Sequence, residues 1–131
     1  MGFGDQSLTT FIVDFGLAKK YCHPTTGHHI PLHQAQHTTG TPAFSSIHAH
    51  LGAELGRRDD LESLAYMLIY LAQGSLPWLS GDSHQRALSI LEVKQKTATE
   101  VLCSHVPCEL AAFLTYTRTL SFSEEPDYDY I

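Results

Sequence analysis

Residues 57–78 read RRDDLESLAYMLIYLAQGSLPW, and the architecture of the chain follows from this stretch. Between positions 64 and 72 every side chain is hydrophobic or aromatic. A helix built on such a run has no polar stripe, so the sequence predicts one buried on all sides within a larger body. Asp59 and Asp60 suit its N-terminus, with Glu62 three residues after Asp59 as in a capping box. Carboxylates there satisfy free N–H groups and complement the positive end of the helix dipole. Gly74 and Pro77 stop it. The apolar run is about half of the roughly 20 residues needed to cross a bilayer, so a membrane-spanning reading fails.

Both blocks, RRDDLESL and GSLPW, resemble the central helix of the C-terminal lobe in protein kinases of the casein kinase 1 family. The resemblance extends outward in both directions. IVDFGLAKKY is similar to the segment carrying the family's D-F-G magnesium site, and Ser46-Ile47-His48 stands where the family has S-I-N. EVLC, RTLSF and PDYDY near the C-terminus are also similar to it. The implied fold is mainly α: a partial protein-kinase-like fold, C-lobe only, with a short β-hairpin carrying D-F-G, a long activation loop and a buried central helix. Residues 1–46 would form the D-F-G strand and activation segment, and residues 47–131 the C-lobe helices, cut before the family's last helix.

The scale of the chain agrees with a single domain. Its 131 residues, 43% hydrophobic, can bury roughly two-thirds of the unfolded surface. A net charge of −6 leaves no basic footprint for nucleic acid or an anionic membrane. No charged-then-apolar leader follows Met1, and the three cysteines form no C-x-x-C pair, so an intracellular, reduced protein is expected. Cys103 and Cys108 read as structural thiols.

Phe11, Ile12 and Val13 read as a short buried strand delivering Asp14 to a turn. Mg²⁺ takes one or two carboxylates plus phosphate oxygens, which explains an aspartate at that place. The resemblance implies Asp14 as the Mg²⁺ ligand and Val13 as a wall of the ATP pocket. Read without it, D-F-G is an Asx-type turn.

The polar stretch 19–41 is too long for an ordinary connection and holds Pro24, Gly27, Pro31 and Gly40 as breakers, so it reads as a functional or mobile loop. The resemblance makes it the activation segment, with Gly40 and Thr41 as the substrate-shaping turn and the Thr41 hydroxyl beside a catalytic aspartate. Residue by residue, Thr41 also reads as a turn hydroxyl bonding its own backbone. Ala43 stands where the family has an arginine. A methyl cannot make arginine's charge-assisted fork, so the family's preference for acidic or phosphorylated substrates does not carry over. Pro42 replaces a small residue and removes a backbone donor. His29, His33 and His37 have helical spacing, but Pro31 breaks the helix and no cysteine completes a zinc set, leaving a solvated loop.

Further on, Ser45 or Ser46 caps a short helix, residues 87–93 supply an amphipathic one, and a last helix starts after Pro107 with Leu110, Ala111, Phe113, Leu114, Thr117 and Leu120 on related faces. Asp60 reads either as a helix cap or, through the resemblance, as the holder of a catalytic-loop backbone. Arg118 falls on a family arginine and reads as structural. The basic run the family carries near here is reduced to Arg86, Lys94 and Lys96.

The resemblance covers only the second half of a kinase domain. The 131 residues hold no glycine-rich phosphate loop, no strand lysine paired with a helix glutamate, and no catalytic-loop aspartate. Two functions are therefore expected. One is a fragment of a serine/threonine kinase that transfers the ATP γ-phosphate to protein hydroxyls, inactive on its own. The other is a non-catalytic C-lobe module that binds a protein substrate or an intact kinase.

Overall fold

The structure is a computed structural model and describes residues 3–34, 40–79 and 86–131. Its regular elements are helices: α1 (Ile47–His50), α2 (Arg57–Gln73), α3 (Arg86–Lys96), α4 (Thr99–Leu102) and α5 (Cys108–Thr119), with 3-10 turns at Gly4–Gln6 and Pro77–Leu79. The mainly α expectation holds. The loop expected before α3 falls on residues 80–85, outside the described ones.

The long helix α2 is organised around its caps. Gly56 is the N-cap, and its N–H donates to Asp59 Oδ2 at 2.9 Å. Asp59 is thus the reaching carboxylate of the first turn, and Glu62 is spent elsewhere. At the other end Gly74 takes a left-handed φ of 78° and its N–H donates to the Tyr70 carbonyl at 2.7 Å. Glycine occupies that conformation without the steric cost other residues meet.

Ala65, Tyr66 and Ile69 of α2 are fully buried, packed with Leu114 of α5, Trp78, Ile90 and Leu102. The expectation of burial on all sides fails on one face. Leu64, Met67 and Leu71 are 38%, 40% and 69% exposed. Their spacing of three and four residues puts them on a common side of the helix. In α5, Leu114, Thr117 and Leu120 are buried as the spacing predicts. Cys103 joins the core, whereas Cys108 opens α5 exposed, so only one of the two thiols packs.

The expected hairpin carrying D-F-G is absent. Among the described residues there are only isolated bridges, Cys22 with His29 and Gln34 with Ala53. Phe11, Ile12 and Val13 stand 50%, 83% and 75% exposed. A strand cannot satisfy its own N–H and C=O groups, and no described segment lies beside this one to pair with it.

The loop that follows is fastened to the body. Buried Glu54 receives Lys19 and, at 2.9 Å, His33, while its own N–H donates to the His33 carbonyl at 2.9 Å. Gln34 Nε2 donates to the Leu51 carbonyl at 3.0 Å. His29 sets its ring edge on Phe122 with centroids 4.6 Å apart. His29 and His33 therefore serve separate anchors, and His37 lies outside the described residues.

The two arginines opening α2 clip the C-terminal tail. Arg57 donates to the Ser123 carbonyl at 3.2 Å and lies over the Tyr21 ring, and Arg58 donates to the Leu120 carbonyl at 3.1 Å. Gly56 permits this approach, since a Cβ there would meet the Phe122 carbonyl at 2.9 Å.

Candidate functional site

The turn at residues 41–45 is held by capture of its carbonyls. The Thr41 carbonyl accepts from the Phe44 and Ser45 amides at 3.0 and 3.1 Å. Trp78 Nε1 donates to the Ala43 carbonyl at 2.7 Å, and Lys94 Nζ donates to those of Pro42 and Ser45. Pro42 lacks an N–H, yet its carbonyl is in use. Ser46 follows as the N-cap of α1, its Oγ accepting from the Ala49 amide at 3.0 Å and donating to Asp59 Oδ1 at 2.8 Å. One carboxylate therefore joins the starts of α1 and α2.

Between this turn and α2 lies a cleft of about 280 Å³, lined by Gly40, Thr41, Phe44, Asp59, Asp60 and Ser63 among others. It brings together three residues singled out from the sequence: Gly40, Thr41 and Asp60. Gly40 takes a left-handed φ of 102°. Thr41 is exposed, and its hydroxyl makes no hydrogen bond among the described residues, so the local turn-hydroxyl reading does not hold. Asp60 is not the helix cap either, because Asp59 has that role. Its exposed carboxylate has no hydrogen-bond partner among the described residues, and partial desolvation with the Asp59 charge beside it holds it above the ordinary carboxylate value.

Val13 and Asp14 lie outside this cleft. Asp14 has a left-handed φ of 66°, and its Oδ1 accepts from the Gly16 amide at 3.3 Å, which is the Asx-type turn. No second carboxylate or histidine converges on it among the described residues. One exposed carboxylate, engaged with its own loop, does not fit a magnesium site on its own, and Val13 is 75% exposed.

A buried network missed at the sequence level stands behind the cleft. Tyr66 donates its hydroxyl to Glu62 Oε1 at 2.6 Å and accepts from Arg118 at 2.9 Å, while Glu62 also accepts from the Ile47 amide at 3.3 Å. Burial, then the Glu62 charge, raise the Tyr66 phenol above its ordinary value. Arg118 further reaches Thr99 Oγ1 at 3.3 Å, tying α5 to α4 and α2. His48, Asp59 and Glu62 converge closely enough to suggest a cation. Both carboxylates, however, already accept two or more hydrogen bonds and face Arg58 at 3.7 Å and Arg118 at 3.9 Å, so we assign them to holding the fold.

A larger cleft of about 760 Å³ lies beyond the end of α2, lined by Tyr70, Gln73, Leu76, Val101 and His105. It touches none of the candidate site residues that the sequence points to. The smaller cleft is the candidate site. No protein-family model matches the chain. No described helix is long and apolar enough to cross a membrane.

Proposed function

We propose that the chain is the helical half of a casein kinase 1-like serine/threonine protein kinase, acting on protein hydroxyls only as part of a longer assembly. The observation that carries this reading is Asp60. With Asp59 bonding the Gly56 amide, it presents a carboxylate that has no hydrogen-bond partner among the described residues, in the cleft beside Gly40 and Thr41. A carboxylate so placed suits an acceptor for backbone N–H groups of an inserted loop, and an open threonine hydroxyl suits a neighbour of the reacting group. ATP and Mg²⁺ would be held in the longer protein, with Asp14 as the carboxylate that the resemblance implies for the metal. Charge stabilisation and positioning are the work of such a site.

A second reading is a non-catalytic module that binds a protein partner, an intact kinase included. The exposure of Val13 and Asp14, apart from the cleft, favours it. The two readings separate on the intact mass of the endogenous protein and the 5′ end of its transcript. The kinase reading expects a product extended upstream through an H-R-D segment, whose phosphate transfer is lost in Asp14→Asn with the fold retained. A product starting at Met1 that binds no Mg-ATP sinks the kinase reading and leaves the module.

A further inference from the structure

Lys94 of α3 has no exposed surface. An ammonium has three N–H donors, and three acceptors surround this one: the Pro42 carbonyl at 3.1 Å, the Ser45 carbonyl at 2.5 Å and His50 Nε2 at 3.2 Å. The rings of Tyr66 and Trp78 close the remaining sides at 4.7 and 5.1 Å from Nζ. Of the charges facing it, Glu62 of α2 attracts and Arg118 of α5 opposes. His50 comes from α1. On α3 itself Glu92 and Lys96 are exposed and pair with each other at 3.5 Å.

We propose that Lys94 and His50 form a proton-operated clamp on the 41–45 turn, in which Lys94 donates to His50 while it is charged and His50 donates back once it is neutral, so that the His50 tautomer and the turn amides follow the Lys94 proton.

The donor count makes the argument. A neutral amine keeps two N–H donors and gains a lone pair. The two carbonyls cannot donate, so His50 is the partner that can change role. With Lys94 charged, Nε2 accepts and the imidazole proton sits on Nδ1. With Lys94 neutral, the proton moves to Nε2 by exchange with water, where it can face Lys94 Nζ or the Pro42 carbonyl at 3.0 Å. One proton leaves to solvent and none is lost from the ring. Desolvation, countered by Glu62 and reinforced by Arg118, lowers Lys94 to about 7, which sets the change near neutrality. Burial, and then the Lys94 charge, lower His50, so its ring stays neutral across that range. The clamp goes beyond the proposed function and does not depend on it.

The test is a pH titration of the isotope-labelled chain by NMR, following Lys94 Cε, the His50 ring nitrogens and the amides of Ala43, Phe44 and Ser45. The expected result is a shared midpoint near 7, with His50 passing from the Nδ1–H to the Nε2–H tautomer. A Lys94 midpoint at the ordinary lysine value of about 10.4, an unchanging His50 tautomer, or turn amides that do not follow the Lys94 midpoint would each overturn the proposal. In a folded Lys94→Met variant the amide titration should vanish, and its persistence would overturn the clamp equally. Should that variant not fold, the wild-type titration decides.

Discussion

Residues 11–13 and residues 68–70 are equally apolar, Phe-Ile-Val against Leu-Ile-Tyr, yet their fates are opposite. Ile12 is 83% exposed and Ile69 has no exposed surface. The difference is one of partners. A helix satisfies its backbone internally and needs only a surface to pack on, which α5 and the Trp78 turn supply. An extended segment needs a neighbour for every hydrogen bond before burial can stabilise it.

The strongest way to break this contrast is to truncate both isoleucines. Ile69→Ala should cost about 3 kcal/mol through the cavity it leaves. Ile12→Ala should stay within about 0.5 kcal/mol, as exposed positions do. Urea unfolding midpoints measure both, and similar losses would show that the two regions do not differ.

Arg118→Met tests whether the network behind the cleft, and not apolar packing alone, holds the helical body. It leaves Glu62 buried without its cation, and we expect a loss of about 2 kcal/mol. A neutral or stabilising result would assign α5 docking to Leu114 and its neighbours.

The Lys94 contacts sharpen the contrast through pH. Between about 7 and 10.5 the unfolded chain holds a proton on this lysine that the folded chain has shed. Stability therefore rises with pH across that window, by at most about 1.4 kcal/mol per pH unit for a single proton. In Lys94→Met that rise should flatten. A wild-type profile that falls from neutral to mildly alkaline pH would mean that the lysine is not desolvated by the fold.

Within the helical body, the smallest loss is expected at the helix end. Gly74→Ala forces a Cβ into left-handed backbone and should cost about 1 kcal/mol. Thermal denaturation would detect it, and an unchanged midpoint would mean that the last turn of α2 re-forms without the cap.

Much of the helical body was legible in the chain. The placement of α2, its stop at Gly74, a serine cap of α1 at Ser45 or Ser46, which the structure resolves to Ser46, and the start of α5 after Pro107 all followed from residues within one or two turns of the feature. In the site, Gly40, Thr41 and Asp60 were singled out and do meet. What escaped was the division of labour. Asp59 and Asp60 are identical neighbours, and which one caps depends on a Ser46 hydroxyl brought in from α1. Lys94 was read only as part of a thinned basic run, although its spacing of four from Ile90 put both on one face of α3. That spacing was the available signal.

Local rules of the chain, then, set where helices begin, end and carry their apolar stripes, because capping, glycine conformation and periodicity act over a few residues. Packing set the rest. Whether an apolar residue is covered, whether a lysine is buried against two carbonyls, and whether an aspartate is spent or free depend on atoms far away in sequence. For Phe11, Ile12 and Val13 those atoms are absent among the described residues, and for Lys94 they come from α1, α2 and the 41–45 turn.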